Sequence, residues 1–114
     1  MAIYFYSDDP QALLDAFDEA IEDGTIVNWE IDEDGDYTHV ADPWSKRAWF
    51  ASSIGDNCLA FSIVPDLSEV VPRSIFAFYQ ADLIETFVNH LHEQFTNVMA
   101  TPDPDGDDQG DIVD

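Results

Sequence analysis

The chain has 114 residues, of which 25 are acidic and three basic, giving a formal net charge of −22. Lys46, Arg47 and Arg73 are too few to neutralise a phosphate backbone or an anionic bilayer, which argues against direct nucleic-acid binding and membrane-surface binding. With 46% hydrophobic and 13% aromatic residues, the chain is still rich enough to build a core, as a disordered acidic chain would not be, and its length fits one domain.

Residues 2–6, AIYFY, read as a first strand, too short to span a membrane and preceded by no basic segment of a secretory signal. SDDPQALLDAFDEAIEDG then predicts a helix. Ser7, Asp8 or Asp9 can cap it, Pro10 suits the first turn, and Gly24 is a stop. Leu13, Leu14, Phe17, Ala20 and Ile21 form its apolar stripe. In TIVNWEID the alternation places Val27, Trp29 and Ile31 on one face and Asn28, Glu30 and Asp32 on the other. Asp34-Gly35 predicts a two-residue hairpin turn, with DYTHVA as the returning strand. After the loop ADPWSK, RAWFASSI and CLAFSIV predict a second hairpin around Gly55, Asp56 and Asn57.

Cys58, the single cysteine, reads as a small core residue and suits a reducing cytoplasm. PDLSEVVP is a connection. RSIFAFY, residues 73–79, is open to strand or helix, and its shortness and aromatic content favour a strand. ADLIETFVNHLHEQFTNVM predicts one helix with Leu83, Ile84, Phe87, Val88, Leu91, Phe95 and Val98 on its stripe. From residue 101, TPDPDGDDQGDIVD predicts a disordered acidic tail. The expected architecture is α+β: residues 1–100 form one domain, with an antiparallel sheet of five to six strands and two helices on one face, in the order β-α-β-β-β-β-(β)-α. Trp29, Trp44 and Trp49 are expected to supply core area and loop anchors.

The charge is unevenly placed. Residues 1–42 carry thirteen acids and no base, residues 43–102 carry six acids and all three bases, and the remaining six acids follow Pro102. On the first helix Asp15–Glu19, Asp18–Glu22 and Glu19–Asp23 are like-charge pairs at i, i+4, each costing roughly 0.2–0.5 kcal/mol. Glu22 and Asp23 also lie at the end where the helix dipole disfavours anions. On the hairpin, Glu30 and Asp32 share a face while Glu33, Asp34 and Asp36 crowd the turn. Local stability does not account for this arrangement. Carboxylates repeat at roughly 6.5–7 Å on alternate strand residues and about 6 Å on successive helix turns. A nucleic acid also presents a regular row of single negative charges. In charge and size the chain resembles DNA-mimic inhibitors, including anti-restriction and anti-CRISPR proteins. That resemblance implies a non-enzymatic binding protein whose Asp15, Asp18, Glu19, Glu22, Asp23, Glu30, Asp32, Glu33, Asp34 and Asp36 face a basic, nucleic-acid-binding surface of a partner protein.

Two other readings account for the acidity. A halophile's domain carries acids as solvent adaptation, but that predicts an even spread, whereas residues 43–80 hold three acids and all the bases. An immunity protein against a basic toxin would share the electrostatics of a mimic. For calcium, EIDEDG resembles the first half of an EF-hand loop, but Ala41 stands where the bidentate Glu belongs, so no metal or cofactor is expected. His90 and His92 are two apart on a helix and cannot clamp one metal, His39 stands alone on a strand, and no catalytic motif is present, so no enzyme is expected.

Overall fold

The computed structural model describes residues 2–64, 71–102 and 112–113, with backbone alone at residues 71, 112 and 113. Strand β1 (Ala2–Tyr6) is followed by helix α1 (Pro10–Glu22), hairpin strands β2 (Trp29–Ile31) and β3 (Tyr37–His39), and β4 (Phe50–Gly55) with β5 (Cys58–Ile63). Then come β6 (Val71–Pro72), α2 (Arg73–Leu91), β7 (Asn97–Ala100) and β8 (Ile112–Val113). Six strands form one antiparallel sheet in the order β2-β3-β4-β5-β1-β7, and β6 pairs in parallel with β8. The fold is α+β, as the pattern of elements predicts. Among the described residues no helix is long and apolar enough to cross a membrane.

Register fixes one buried face. Ile3 opposes Phe61, Phe5 opposes both Leu59 and Val98, Phe50 opposes Ile63, and Trp29 opposes His39. These residues join Leu13 and Phe17 of α1 and Phe76, Tyr79, Leu83, Phe87 and Leu91 of α2 in a single core cluster, apart from His39 and the half-buried Val98 at its margin. Phe5 stacks on Phe87 with ring centroids 4.0 Å apart, and Phe17, Tyr37 and Phe61 meet beside them. Among the described residues no helix lies on the opposite sheet face.

α1 begins as expected: Asp9 caps it by accepting from the Ala12 N–H at 3.1 Å, and Pro10 follows. It ends where Gly24 takes φ +83°, a conformation costly for any residue with a Cβ. The β2–β3 turn differs from the expected two-residue form. Asp32 N–H donates to Asp36 O, Gly35 N–H donates to Asp32 O, and Gly35 has φ +85°. This is a three-residue loop ending in a left-handed residue, the other common way to close a hairpin. The strand alternation also does not reach back to Val27, which is exposed, because Ile26 takes the buried place.

Residues 73–79 are helical, not a strand. Phe76, Tyr79, Leu83 and Phe87 follow at i+3 and i+4 spacing and all reach the core, so RSIFAFY continues the periodicity of the segment after it. At the other end α2 stops at Leu91, and Asn97–Ala100 is a strand where helix was expected. Phe95 and Val98 keep helical spacing from Leu91, yet Val98 opposes Phe5 across the sheet. The reason is long-range: β7 satisfies the outer edge of β1, whose amides would otherwise lack partners. Thr96 N–H to Tyr6 O (2.8 Å) and Thr101 N–H to Ala2 O (3.0 Å) extend that pairing. Cys58 is half-buried on the helix-free face and is not part of the core cluster. The expected disordered tail and the connection after Val64 lie largely outside the described residues; within the tail, Ile112 and Val113 are paired with β6.

Candidate functional site

The acidic helix and the acidic hairpin are in contact. Tyr37, at the start of β3, lies with its ring centroid 5.1 Å from that of Phe17, and its hydroxyl donates to Asp18 Oδ1. Burial pushes the Asp18 carboxyl above the ordinary aspartate range; the Tyr37 hydrogen bond opposes this, and the nearby Asp15 and Glu22 charges add to it. Burial, then the hydrogen bond to Asp18, pushes the Tyr37 phenol well above its ordinary value.

The ten candidate carboxylates divide by what they touch. The Thr25 hydroxyl first, and then the Thr25 N–H from which Asp23 accepts, hold the Asp23 pKa below the ordinary value. Asp32 Oδ1 accepts from the N–H groups of both Asp34 and Asp36 at 2.9 Å and so builds the turn. Asp15 accepts from the Gln11 amide. Glu19, Glu22, Glu33 and Asp34 are exposed with no such side-chain bond, and Glu30 is half-buried on the helix-free face opposite Thr38. Strand parity puts Asp32 on that same face. Asp18 therefore meets the hairpin from the α1 side of the sheet, and Glu30 and Asp32 lie on the other side. With their neighbours on α1 and the turn they make an acidic rim on two faces and not a single flat patch. None of the ten is ion-paired with a described base, and neither Lys46 nor Arg47 makes an ion pair among the described residues.

One oxygen from each of Asp32, Asp34 and Asp36 lies within 4.8 Å of the others, a spacing at which a divalent cation or an ammonium group could be shared. Burial raises the Asp36 pKa, with the charges of Asp32 and Asp34 adding to it.

His39 is not alone, as its isolation in the sequence suggested. It is buried; its Nδ1 accepts from Ala41 N–H at 3.1 Å, which leaves Nε2 to carry the proton toward Asp82 Oδ2 at 3.0 Å. Asp82 Oδ2 also accepts from Asn28, and Thr86 accepts from Asn28 and Trp29. Nε2 therefore joins β3 to α2, Asp82 and Thr86 join α2 in turn to the chain before β2, and Nδ1 fixes the start of the loop after β3. Beside this network, the Trp44 indole stacks on Phe78 at 3.8 Å, and the Tyr79 hydroxyl donates to Trp44 O and accepts from Arg47 N–H. These contacts hold the 40–47 loop, in which Lys46 has φ +56°.

A groove of about 420 Å³ runs over the helix-free side of the hairpin, lined among others by Glu30, Asp32, Asp34, Thr38, Lys46 and Trp49. Sequence spacing gave no sign of it, because Trp49 and Lys46 are brought there from beyond the hairpin. β3 and β4 share a single residue pair, Tyr37 with Phe50, so the sheet parts beside Trp49. Comparison with protein-family models, with curated proteins and with solved structures finds no match to this chain, so its function has to be read from the site itself.

Proposed function

We propose that this is a non-enzymatic acidic binding protein that occupies a basic, nucleic-acid-binding surface of a partner protein, in the manner of a DNA-mimic inhibitor. The observation that carries the reading is the unneutralised rim. Ten carboxylates lie on α1, at its C-cap and on the β2–β3 hairpin, two elements in contact through Tyr37 and Asp18, and no described base of the same chain pairs with them. Like-charge crowding of this kind costs stability within the chain and is repaid only when a cationic surface meets it. The Tyr37–Asp18 bond ties the two acidic elements together, which limits the ordering cost of binding. Its site of action is the cytoplasm, where a lone unpaired cysteine is ordinary.

Capture from lysate on immobilised protein, with and without nuclease, tests this directly. Basic nucleic-acid-binding proteins should be retained in both cases and released by added duplex DNA and by salt. Reversal of Glu19, Glu22, Glu30 and Asp34 to lysine should abolish capture, while reversal of Asp56, Glu85 and Glu93 on the less acidic part of the fold should leave most of it. Equal loss from the two sets would show that net charge alone matters and would remove the rim from the argument.

A further inference from the structure

Trp49 has no evident part in holding the fold together. Among the described residues it makes no ring contact and no side-chain hydrogen bond, and it lies outside the core cluster that Trp29 joins and Trp44 packs against. Its carbonyl continues the β4–β5 ladder by accepting from Val64 N–H at 2.9 Å. Phe50 points into the core, so strand parity turns the preceding Trp49 toward the helix-free face. There the half-buried indole borders the groove that Glu30, Asp32, Asp34, Thr38 and Lys46 also line.

We propose that this groove receives an arginine side chain of the basic partner, with the guanidinium over the Trp49 indole and its N–H groups toward the Glu30, Asp32 and Asp34 carboxylates. The assignment rests on the binding function proposed above and narrows it to one side chain. Carboxylates alone would attract any cation. The indole distinguishes among cations, because a planar, weakly hydrated guanidinium stacks on an aromatic face while its edge remains free to donate to carboxylates, whereas a compact ammonium keeps its water. An open groove of this volume accommodates one long side chain more readily than a folded element. Lys46 on the rim opposes any cation, but the four acids that line the groove, Glu33 with the three just named, outweigh it.

The test uses hexa-arginine and hexa-lysine peptides, titrated at low ionic strength against the full chain, with binding read by calorimetry and the indole signal by fluorescence. Hexa-arginine should bind on the order of threefold tighter, as an exposed cation–π contact implies. Trp49→Leu should remove that preference while leaving hexa-lysine affinity and the circular dichroism spectrum unchanged, and Trp49→Phe should restore part of it. Lys46→Met should tighten both peptides, which a merely structural lysine would not do. Equal affinity of the wild type for the two peptides, or a preference that survives Trp49→Leu, overturns the groove. If those equal affinities are still abolished by the rim reversals, the acidic rim stands without it. If neither peptide binds, rim and groove both fall.

Discussion

Two tyrosine hydroxyls join parts of the chain that local spacing treats as independent. Tyr37 ties β3 to Asp18 of α1, and Tyr79 ties α2 to Thr38, Trp44 O and Arg47 N–H where the sheet parts between β3 and β4. Tyr79→Phe removes these hydrogen bonds while Thr38 keeps Ala48 O and Arg47 N–H keeps Trp44 O, so a loss of about 1 kcal/mol is expected in urea unfolding. An unchanged midpoint would mean that water replaces the hydroxyl without cost. Asp18 makes a prediction with a definite sign. Its folded pKa is raised, chiefly by burial, so its contribution to stability is complete below the unfolded value of about 3.9 and is lost as pH rises through the folded value. Asp36 acts in the same direction. Thermal melts should therefore show the melting temperature rising as pH falls from neutral toward the carboxylate range. Asp18→Asn, which keeps an acceptor for Tyr37, should flatten that rise; a slope identical to wild type would contradict the assignment. None of these contacts could be read from the sequence. His39 and Asp82 are 43 positions apart, and only the packing of α2 across β3 reveals that they are partners.

Elements were legible where their signal is local. The cap, stripe and stop of α1 are all short-range features, and each is found where the spacing places it. Helix α2 and β7 were not separable, because an apolar residue every third or fourth position from Phe76 to Val98 satisfies a helix throughout. The break after Leu91 is decided by the unpaired edge of β1, a partner more than ninety positions away. The acids of the candidate rim were legible as charge but not as geometry: parity places Glu30 and Asp32 on the face away from α1, and the three-residue turn draws Asp32, Asp34 and Asp36 together. At this scale the proposed function and the stability of α1 pull in opposite directions. Glu19→Lys replaces repulsion with Asp15 and Asp23 by attraction, and should stabilise the protein by roughly 1 kcal/mol in denaturant unfolding. The same change should weaken partner binding. A variant that is both less stable and weaker in binding would show that Glu19 acts through the fold and not through the rim.

For the whole molecule, the question is whether a charge of −22 is tolerated or needed by the fold. Two solvents give opposite answers. A protein adapted to high salt relies on screening, and its carboxylates repel too strongly near 0.1 M, where the Debye length is about 10 Å; at 1 M it falls to about 3 Å. A binding protein must be folded at low salt, since that is where attraction to its partner is greatest. Folding at low salt is the outcome expected from the proposed function, and two features bear on it. The core joins both helices to the six-stranded sheet around one aromatic cluster, and thirteen of the 25 acids precede Pro43, while the helix-free face of β1 and β5 bears Tyr4, Tyr6, Ala60 and Ser62. Repulsion is thus strongest among α1 and the β2–β3 hairpin, and no carboxylate belongs to the core cluster. Circular dichroism during a salt titration should show the native spectrum already at about 0.1 M salt, with only a modest rise in melting temperature up to 1 M as the rim is screened. Partner binding should weaken steeply over the same range. A native spectrum that appears only near 1 M would assign the acidity to the solvent, and the rim would then have no partner to explain it.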